Sequence, residues 1–163
     1  MFEIRPAETA DYPRIVRLWH QGWHDAHAAL VPAGVLAFRT IDHFAIWLQE
    51  ARDAFYVAVD AELLGFVSTK GSEIVKLYVD RDARGGGVAH RLLFFAELNL
   101  AESGVQEAEL FCTAGNSRAE KFYQREGWII SRSFDDHLWM PKGQGGRFVV
   151  RTHRFQKTVT PAT

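Results

Sequence analysis

The residues with the clearest chemical potential in this sequence lie between Arg84 and Ala89, where three consecutive glycines separate an apolar run from a helical pattern. A chain that passes from a strand through glycines into a helix exposes unpaired backbone N–H groups at the positive end of the helix dipole. Glycine also lets the backbone approach an anion closely. The segment is therefore suited to binding a phosphate or pyrophosphate group.

Two common phosphate-binding loops do not fit this segment. The sequence contains no G-x-x-x-x-G-K-[ST], and G-x-G-x-x-G fails because Gly85 and Gly87 are followed by His90 in the sixth position. These spacings disfavour a nucleotide triphosphatase and a Rossmann dinucleotide-binding protein.

A second informative block runs from Asn116 to Trp128 and has the form N-x-x-A-x-x-F-Y-x-x-x-G-W. Together with Arg84-x-x-Gly87-x-Ala89, it resembles the signature blocks of the GNAT superfamily of acetyl-CoA-dependent N-acyltransferases. Segment 74–79 is similar to the family's fourth strand, and the resemblance covers nearly the whole chain. It implies an enzyme that transfers an acetyl group from acetyl-CoA to a primary amine of a small molecule or peptide, directly within a ternary complex.

The same resemblance implies where acetyl-CoA binds. Backbone amides of the glycine loop would hold the pyrophosphate, and the pantetheine arm would lie between strands that end near Val79 and Cys112. Asn116 would contact the arm, with capping of the following helix as its alternative role. The implied cofactor-binding residues are Leu77, Tyr78, Val79, Arg84, Gly85, Gly86, Gly87, Val88, Ala89, Asn116, Ala119, Phe122 and Tyr123.

Glu73 is the candidate general base. An alkyl amine with a pKa of about 10.4 is almost fully protonated at pH 7, so amide formation needs a group that takes its proton. Glu73 is similar in position to the glutamate base of the histone acetyltransferase branch of the family, and it could act directly or through one water. Simple alternation puts it on one face with Val75, Leu77 and Val79, unless a β-bulge breaks the pattern. The alternative is a solvent-exposed glutamate at a strand start.

Tyr123 is the candidate general acid. It matches the family's tyrosine that protonates the departing thiolate. A phenol with a pKa of about 10 can donate to a developing thiolate with a pKa of about 8.5. Its alternative role is to pack the short helix against the sheet, which is also the favoured role of Phe122.

Other potentially reactive side chains have plainer interpretations. Cys112 could accept the acetyl group in a ping-pong reaction, but a small buried residue in a strand is favoured. His20, His24 and His27 fall at helical spacing on one face, which leaves three alternatives: a metal site, a lining for the acceptor, or a half-exposed helix face. No matching carboxylate supports a metal, so none is expected. The family resemblance places Trp23 and His27 on the acceptor side.

These residues must be positioned by alternating sheet and helix elements. Period-two patterns predict strands over residues 2–5, 55–59, 64–69, 73–79, 109–112, 128–134 and 147–155. Helical periods predict helices that begin near Thr9, at Asp42, at Val88 and at Ser117, the last with a Ser117/Glu120 capping box. The order indicates an α+β fold. The family resemblance implies a mixed, mostly antiparallel twisted sheet of six to seven strands, flanked by about four helices and splayed between the fourth and fifth strands.

Composition narrows the remaining possibilities. The length of 163 residues predicts one domain over 1–163. The near balance of 19 Lys+Arg against 20 Asp+Glu disfavours a nucleic-acid partner. One cysteine and the lack of a long apolar run favour a cytoplasmic protein with no membrane partner. A homodimer is common in the family, but the sequence leaves oligomeric state open. The alternative functions are a non-catalytic acyl-CoA-binding module and a metal-dependent hydrolase built on the histidines.

Overall fold

One sheet and four α-helices organise the computed structural model, which describes residues 1–162. The strands are β1 (Glu3–Pro6), β2 (Ala54–Val59), β3 (Leu63–Lys70), β4 (Glu73–Val79), β5 (Glu107–Thr113), β6 (Ile129–His137) and β7 (Val149–Thr158). The helices are α1 (Tyr12–His27), α2 (Ile41–Glu50), α3 (Val88–Glu102) and α4 (Ser117–Arg125), with short 3-10 turns at Thr9–Asp11, Ala33–Phe38 and Arg81–Ala83. Within residues 1–162, no helix combines the length and apolar character needed to cross a membrane.

The sheet has seven strands in the order β1-β2-β3-β4-β5-β7-β6. Every neighbouring pair is antiparallel except β4 and β5, which run parallel. Those two strands meet at a single residue pair, Glu73 with Glu109, beside a hydrogen bond of 3.0 Å from the Glu109 amide to the Ser72 carbonyl. Beyond this point the strands diverge. The predicted mixed sheet and its splay between the fourth and fifth strands are confirmed.

Two apolar layers cover opposite faces of this sheet. The larger layer packs α3 against the sheet through residues such as Leu92, Leu110 and Phe155. The other packs α1 and α2 against it through an aromatic cluster that includes Trp19 and Phe44, whose ring centroids are 5.0 Å apart. Because both faces of the central strands are covered, some polar side chains on these strands are buried, among them Ser68 and Lys76.

Local helix starts differ from the sequence prediction in two places. The Thr40 hydroxyl caps α2 by accepting a hydrogen bond from the His43 amide, so Asp42 lies in the first turn and is not the cap. In α4 the carboxylate of Glu120 accepts from the Gly115 amide at 2.8 Å, and the expected box with Ser117 is not formed. Threonine caps almost as well as aspartate, so side-chain type alone did not fix the first turn.

A β-bulge interrupts β4. Thr69 of β3 pairs with Ile74, but its neighbour Ser68 pairs with Lys76, so Val75 is the extra residue on β4. An inserted residue of this kind reverses the alternation of side chains along the strand.

The bulge decides which face Glu73 occupies. Ile74, Leu77 and Val79 all contact the α3 layer, although strict alternation would put Ile74 on the opposite face from Leu77 and Val79. Tyr78 contacts the α1 layer. Glu73 therefore faces the α1 layer and does not share a face with Leu77 and Val79, which corrects the expectation from simple alternation.

Gly65 lets β3 and β4 approach closely at the open end of the splay. A Cβ at this position would lie 2.8 Å from the Tyr78 carbonyl oxygen and 3.1 Å from Leu92. Gly65→Ala should lower the free energy of unfolding by about 1–3 kcal/mol, because the backbone must move to relieve the overlap. Denaturant unfolding measures this change. Gly145→Ala is the control, since nothing lies within 4 Å of its Cβ. Equal stability of the two variants would contradict this account of the close approach.

Candidate active site

A cavity of about 620 Å³ occupies the gap where β4 and β5 diverge, and α1, α3 and α4 complete its walls. It is lined by most of the residues singled out from the sequence: His27, Leu77, Tyr78, Val79, Arg84, Gly85, Gly87, Val88, Ala89, Asn116, Ala119, Phe122 and Tyr123. Five other singled-out residues are not part of this lining: Gly86, Trp23, Glu73, His20 and His24. The structure thus brings both sequence blocks to one cavity.

The glycine loop presents a row of free amides at the cavity mouth. Backbone N–H groups from Gly85 to His90 donate to no acceptor within residues 1–162. Gly85 and Gly87 adopt φ values of 86° and 81°, which other residues rarely take, so the loop turns sharply into α3. Arg81 and Asp25 form an ion pair of 2.7 Å that joins the loop to α1. The arrangement is suited to binding an anion.

Four cations surround the same mouth. Arg84, Arg118, Lys121 and Arg125 line it, and none of the ion pairs found in residues 1–162 includes them. Partial burial and the nearby Arg118 lower the pKa of the Arg84 guanidinium. The three α4 cations follow i, i+3, i+7 spacing, a helix-face pattern that the sequence analysis missed.

Asn116 occupies the N-cap position of α4, but its side chain makes no capping hydrogen bond. Asn116 is one of the residues that line the cavity. The capping role considered for this residue is therefore not the one its side chain takes, and the amide is available to a ligand.

Tyr123 and Cys112 both line the cavity. The Tyr123 ring packs on Phe155 with centroids 5.6 Å apart, and burial, followed by the nearby Cys112 and Tyr78, raises the pKa of its phenol above the usual range. A phenol held in this way is protonated at neutral pH, and the raised pKa makes it a weaker acid than a solvent-exposed tyrosine. Burial, followed by the nearby Glu120, raises the pKa of the Cys112 thiol to about 12, so this group is a poor nucleophile.

Glu73 lies at the closed end of the splay, two residues along β4 from Val75, which lines the cavity. Burial raises the pKa of its carboxyl to about 7, and the neighbouring Glu109 adds to the effect. The Glu109 carboxylate in turn accepts a hydrogen bond of 2.8 Å from Arg154. A carboxylate with a pKa near neutrality is suited to accept and release protons at physiological pH.

The α1 side of the cavity is lined by small residues and one histidine. Gly22 lines the cavity and packs so closely that a Cβ would lie 2.6 Å from the Tyr78 ring. The His27 Nδ1 atom is buried without a hydrogen-bond partner, and burial lowers the pKa of His27 to about 4. His27 is therefore neutral at physiological pH.

Trp23 belongs to the core behind this wall. It is buried to 4% exposure, and the Arg39 guanidinium lies 4.9 Å from its ring centroid. The His20 and His24 rings are tilted by 54° with centroids 4.6 Å apart, and His24 Nε2 lies 2.8 Å from the Arg39 carbonyl. Among residues 1–162, no group of three or more His, Cys, Asp or Glu side chains could hold a metal ion.

Lys76 is the cavity residue that sequence reasoning missed most clearly. Lys76 is among the residues that line the cavity, and its side chain pairs with Asp53 at 2.6 Å, with both side chains almost completely buried. The signal was present, because this lysine interrupts an otherwise apolar strand between Ile74 and Val79. Lysine is rarely buried in such a run unless it is paired.

Comparison with known proteins identifies the family. A model of the acetyltransferase (GNAT) domain matches residues 33–135, more than half of the chain. The chain therefore belongs to the GNAT family of acetyltransferases, as its two sequence blocks predicted.

Particular relatives define the extent of the similarity. The chain is 31% identical over 113 residues to a mycothiol acetyltransferase of Actinosynnema mirum, covering 65% of this chain and 36% of the relative. It is also 31% identical over 124 residues to a mycothiol acetyltransferase of Saccharopolyspora erythraea, covering 71% of this chain and 39% of that relative. The chain thus spans less than two fifths of either relative in these alignments.

Solved structures show the same fold. YjaB of Escherichia coli superposes with a TM-score of 0.73 and 22% identity, with 99% of both chains covered. The PaiA N-acetyltransferase of Thermoplasma acidophilum, solved in complex with coenzyme A, superposes with a TM-score of 0.64 and 16% identity, covering 93% of this chain and 98% of that chain.

Glu73 should make stability depend on pH. Its pKa is about 7 in the folded chain against 4.5 normally, so the folded state binds more protons between these values and loses stability as pH rises. Glu73→Gln should therefore raise the free energy of unfolding by about 1–3 kcal/mol at pH 8, with the gain disappearing below about pH 4.5. Denaturant titration at several pH values measures it. Glu62→Gln, whose side chain is 74% exposed, should show no such gain. A constant difference across pH would contradict the raised pKa.

Proposed function

We propose that this chain is an N-acetyltransferase that transfers the acetyl group of acetyl-CoA to a primary amine of a small molecule or peptide. The observation that carries this proposal is the single cavity in the β4–β5 gap, which joins free loop amides at its mouth to a protonated phenol inside. Membership of the GNAT family supports the same reaction.

Acetyl-CoA fits the donors that line the cavity. The amides of Gly85 to His90 would hold the pyrophosphate, and the cations of α4 would pair with the remaining phosphate charge. Between Val75 and Val79, β4 has no pairing with β5, so its edge can bind the amides of a pantetheine arm in place of a strand. Asn116, at the start of α4, also lines the cavity, where its side chain would contact the arm.

Transfer then follows in one displacement. The neutral amine attacks the thioester carbonyl, a C–N bond forms, and the C–S bond breaks as the thiolate leaves. Glu73, placed beyond the cavity end, takes the amine proton through a water, and Tyr123 donates its phenolic proton to the thiolate. The Val79 N–H at the open end of β4 polarises the carbonyl oxygen.

An acetyl-cysteine intermediate is disfavoured on this geometry. A thiol whose pKa is raised to about 12 is almost fully protonated at pH 7, and the thiolate is the reactive form. Direct transfer needs no protein nucleophile. The alternative function is a non-catalytic acyl-CoA-binding module, against which the position of Tyr123 in the cavity argues.

Acetyl-CoA should stabilise the protein. At 100 times its dissociation constant it should add about 2.7 kcal/mol, which raises Tm by roughly 5–11 °C for a domain of this size. Arg118→Gln should weaken binding and reduce the shift at the same concentration, since it removes one free cation from the mouth. Arg52→Gln, an exposed site outside the cavity, is the matched control. Differential scanning fluorimetry is the measurement, and no shift with acetyl-CoA would sink the CoA-binding proposal.

Tyr123→Phe should slow turnover without weakening cofactor binding. Loss of a general acid costs about 10²–10⁴ in rate, and phenylalanine keeps the ring packing on Phe155. Thiol release is followed with amino acids, polyamines, aminoglycosides, peptides and the amine that mycothiol acetyltransferases acetylate. Tyr56→Phe is the control, because the Tyr56 ring packs on Phe95 and does not line the cavity. Unchanged turnover in Tyr123→Phe would remove Tyr123 as the acid. Binding without turnover of any amine would favour the non-catalytic module.

A further inference from the structure

A buried ion pair lies beside the closed end of the splay. The Asp53 Oδ2 atom accepts hydrogen bonds from Lys76 Nζ at 2.6 Å and from Ser68 Oγ at 2.7 Å. The Lys76 and Asp53 side chains are only 8% and 5% exposed. These three residues come from β4, the residue before β2, and β3, so the pair is fixed by three neighbouring segments of the sheet.

Glu73 shares this environment because of the bulge at Val75. The bulge turns Glu73 toward the α1 layer, the face on which Lys76 lies over the Trp19 ring at 5.1 Å. Lys76 also lines the cavity, whereas Glu73 lies just beyond its end. Lys76 and Glu73 thus lie on the same face of β4, with the bulge at Val75 between them.

Charged groups act on Glu73 from several elements. Glu109 on β5 and Asp53 before β2 disfavour its ionised form, while Lys76 on β4 and Lys70 at the end of β3 favour it. Among these four, Asp53 and Lys76 form the contact ion pair, with opposite effects on Glu73.

Stability alone gives no strong reason for this ion pair. Removing two charges from water costs free energy that their attraction often does not recover, and apolar side chains of similar volume frequently stabilise as well or better. The Lys76 ammonium also lies 5.5 Å from the Phe55 ring, in surroundings that an apolar side chain could fill. Charge at this place is better explained by an effect on a neighbouring ionisable group.

We propose that the Asp53–Lys76 ion pair is a positioning pair that sets the charge state of Glu73, and with it the pH range in which the chain accepts a proton from the acceptor amine. This inference rests on the proposed acetyl transfer with Glu73 as base. Lys76 favours the ionised carboxylate that can act as base, and Asp53 both holds Lys76 in place and opposes part of its effect.

Substitutions of Lys76 and of Asp53 should move the acid limb of the kcat/KM–pH profile in opposite directions. Lys76→Gln removes the cation but keeps an amide for Asp53, so the limb should move to higher pH by about one unit. Asp53→Asn removes the anion but keeps an acceptor for Lys76, so the limb should move to lower pH by a similar amount. In the double variant the acid limb should lie close to its position in the parent, and the same is expected for Lys76→Arg.

Glu73→Gln separates this inference from the proposed function. If Glu73 is the base, the acid limb of kcat/KM disappears in this variant, and the remaining pH dependence reflects only the ionisation of the acceptor amine. A limb that survives in Glu73→Gln overturns the base assignment, and with it the claim that the ion pair sets the catalytic pH range.

Direct titration tests the ion pair itself. The ¹³C chemical shift of the Glu73 carboxyl group is measured against pH in the folded parent and in both single variants. Cooperative melting in the presence of acetyl-CoA checks that each variant is folded. Lys76→Met, which keeps the aliphatic stem against Trp19 and Phe55, replaces Lys76→Gln if the latter does not melt cooperatively. Opposite movements of the Glu73 pKa support the inference. Movement in one direction in both variants, or none in either, overturns it.

Discussion

The structure depends on one constraint: β4 and β5 run parallel but pair only at Glu73 and Glu109. Had the ladder continued, the edge between Val75 and Val79 would be filled by a neighbouring strand and the cavity would not exist. A parallel pair that opens leaves unpaired backbone groups, which must find other partners when a ligand excludes water. The divergence thus provides both the volume of the cavity and its capacity for backbone recognition.

The same junction explains the electrostatics of the site. Two carboxylates are brought side by side where the sheet is covered on both faces, and only Glu109 has a cation in direct contact, Arg154. For Glu73, burial and the like charge of Glu109 outweigh the nearby lysines, so its proton affinity rises into the neutral range. At the other end of the cavity the chain has free amides and unpaired cations. The protein therefore places its free amides and cations at the mouth and the carboxyl group with the raised pKa at the closed end.

The fold, the family, the glycine loop and most of the cavity lining could be predicted from the sequence, because they depend on motifs and on periodicity. Sequence reasoning did not reach the face of Glu73, since a one-residue insertion at Val75 follows from pairing with β3 and leaves no clear mark in the strand itself. Nor did it find Lys76 and Asp53, which are 23 residues apart and meet only across three strands. Trp23 was placed on the acceptor side, but it lies in the core behind the cavity wall. The roles of Glu73 and Tyr123 stay predictions.

The contact between Gly22 and Tyr78 links two distant parts of the sequence in another way. Because the ring occupies the space that a Cβ at position 22 would need, each residue limits what the other can become. Over evolutionary time the two positions should change together: a side chain gained on α1 requires a smaller residue on β4, which would enlarge the α1 wall of the cavity at that point.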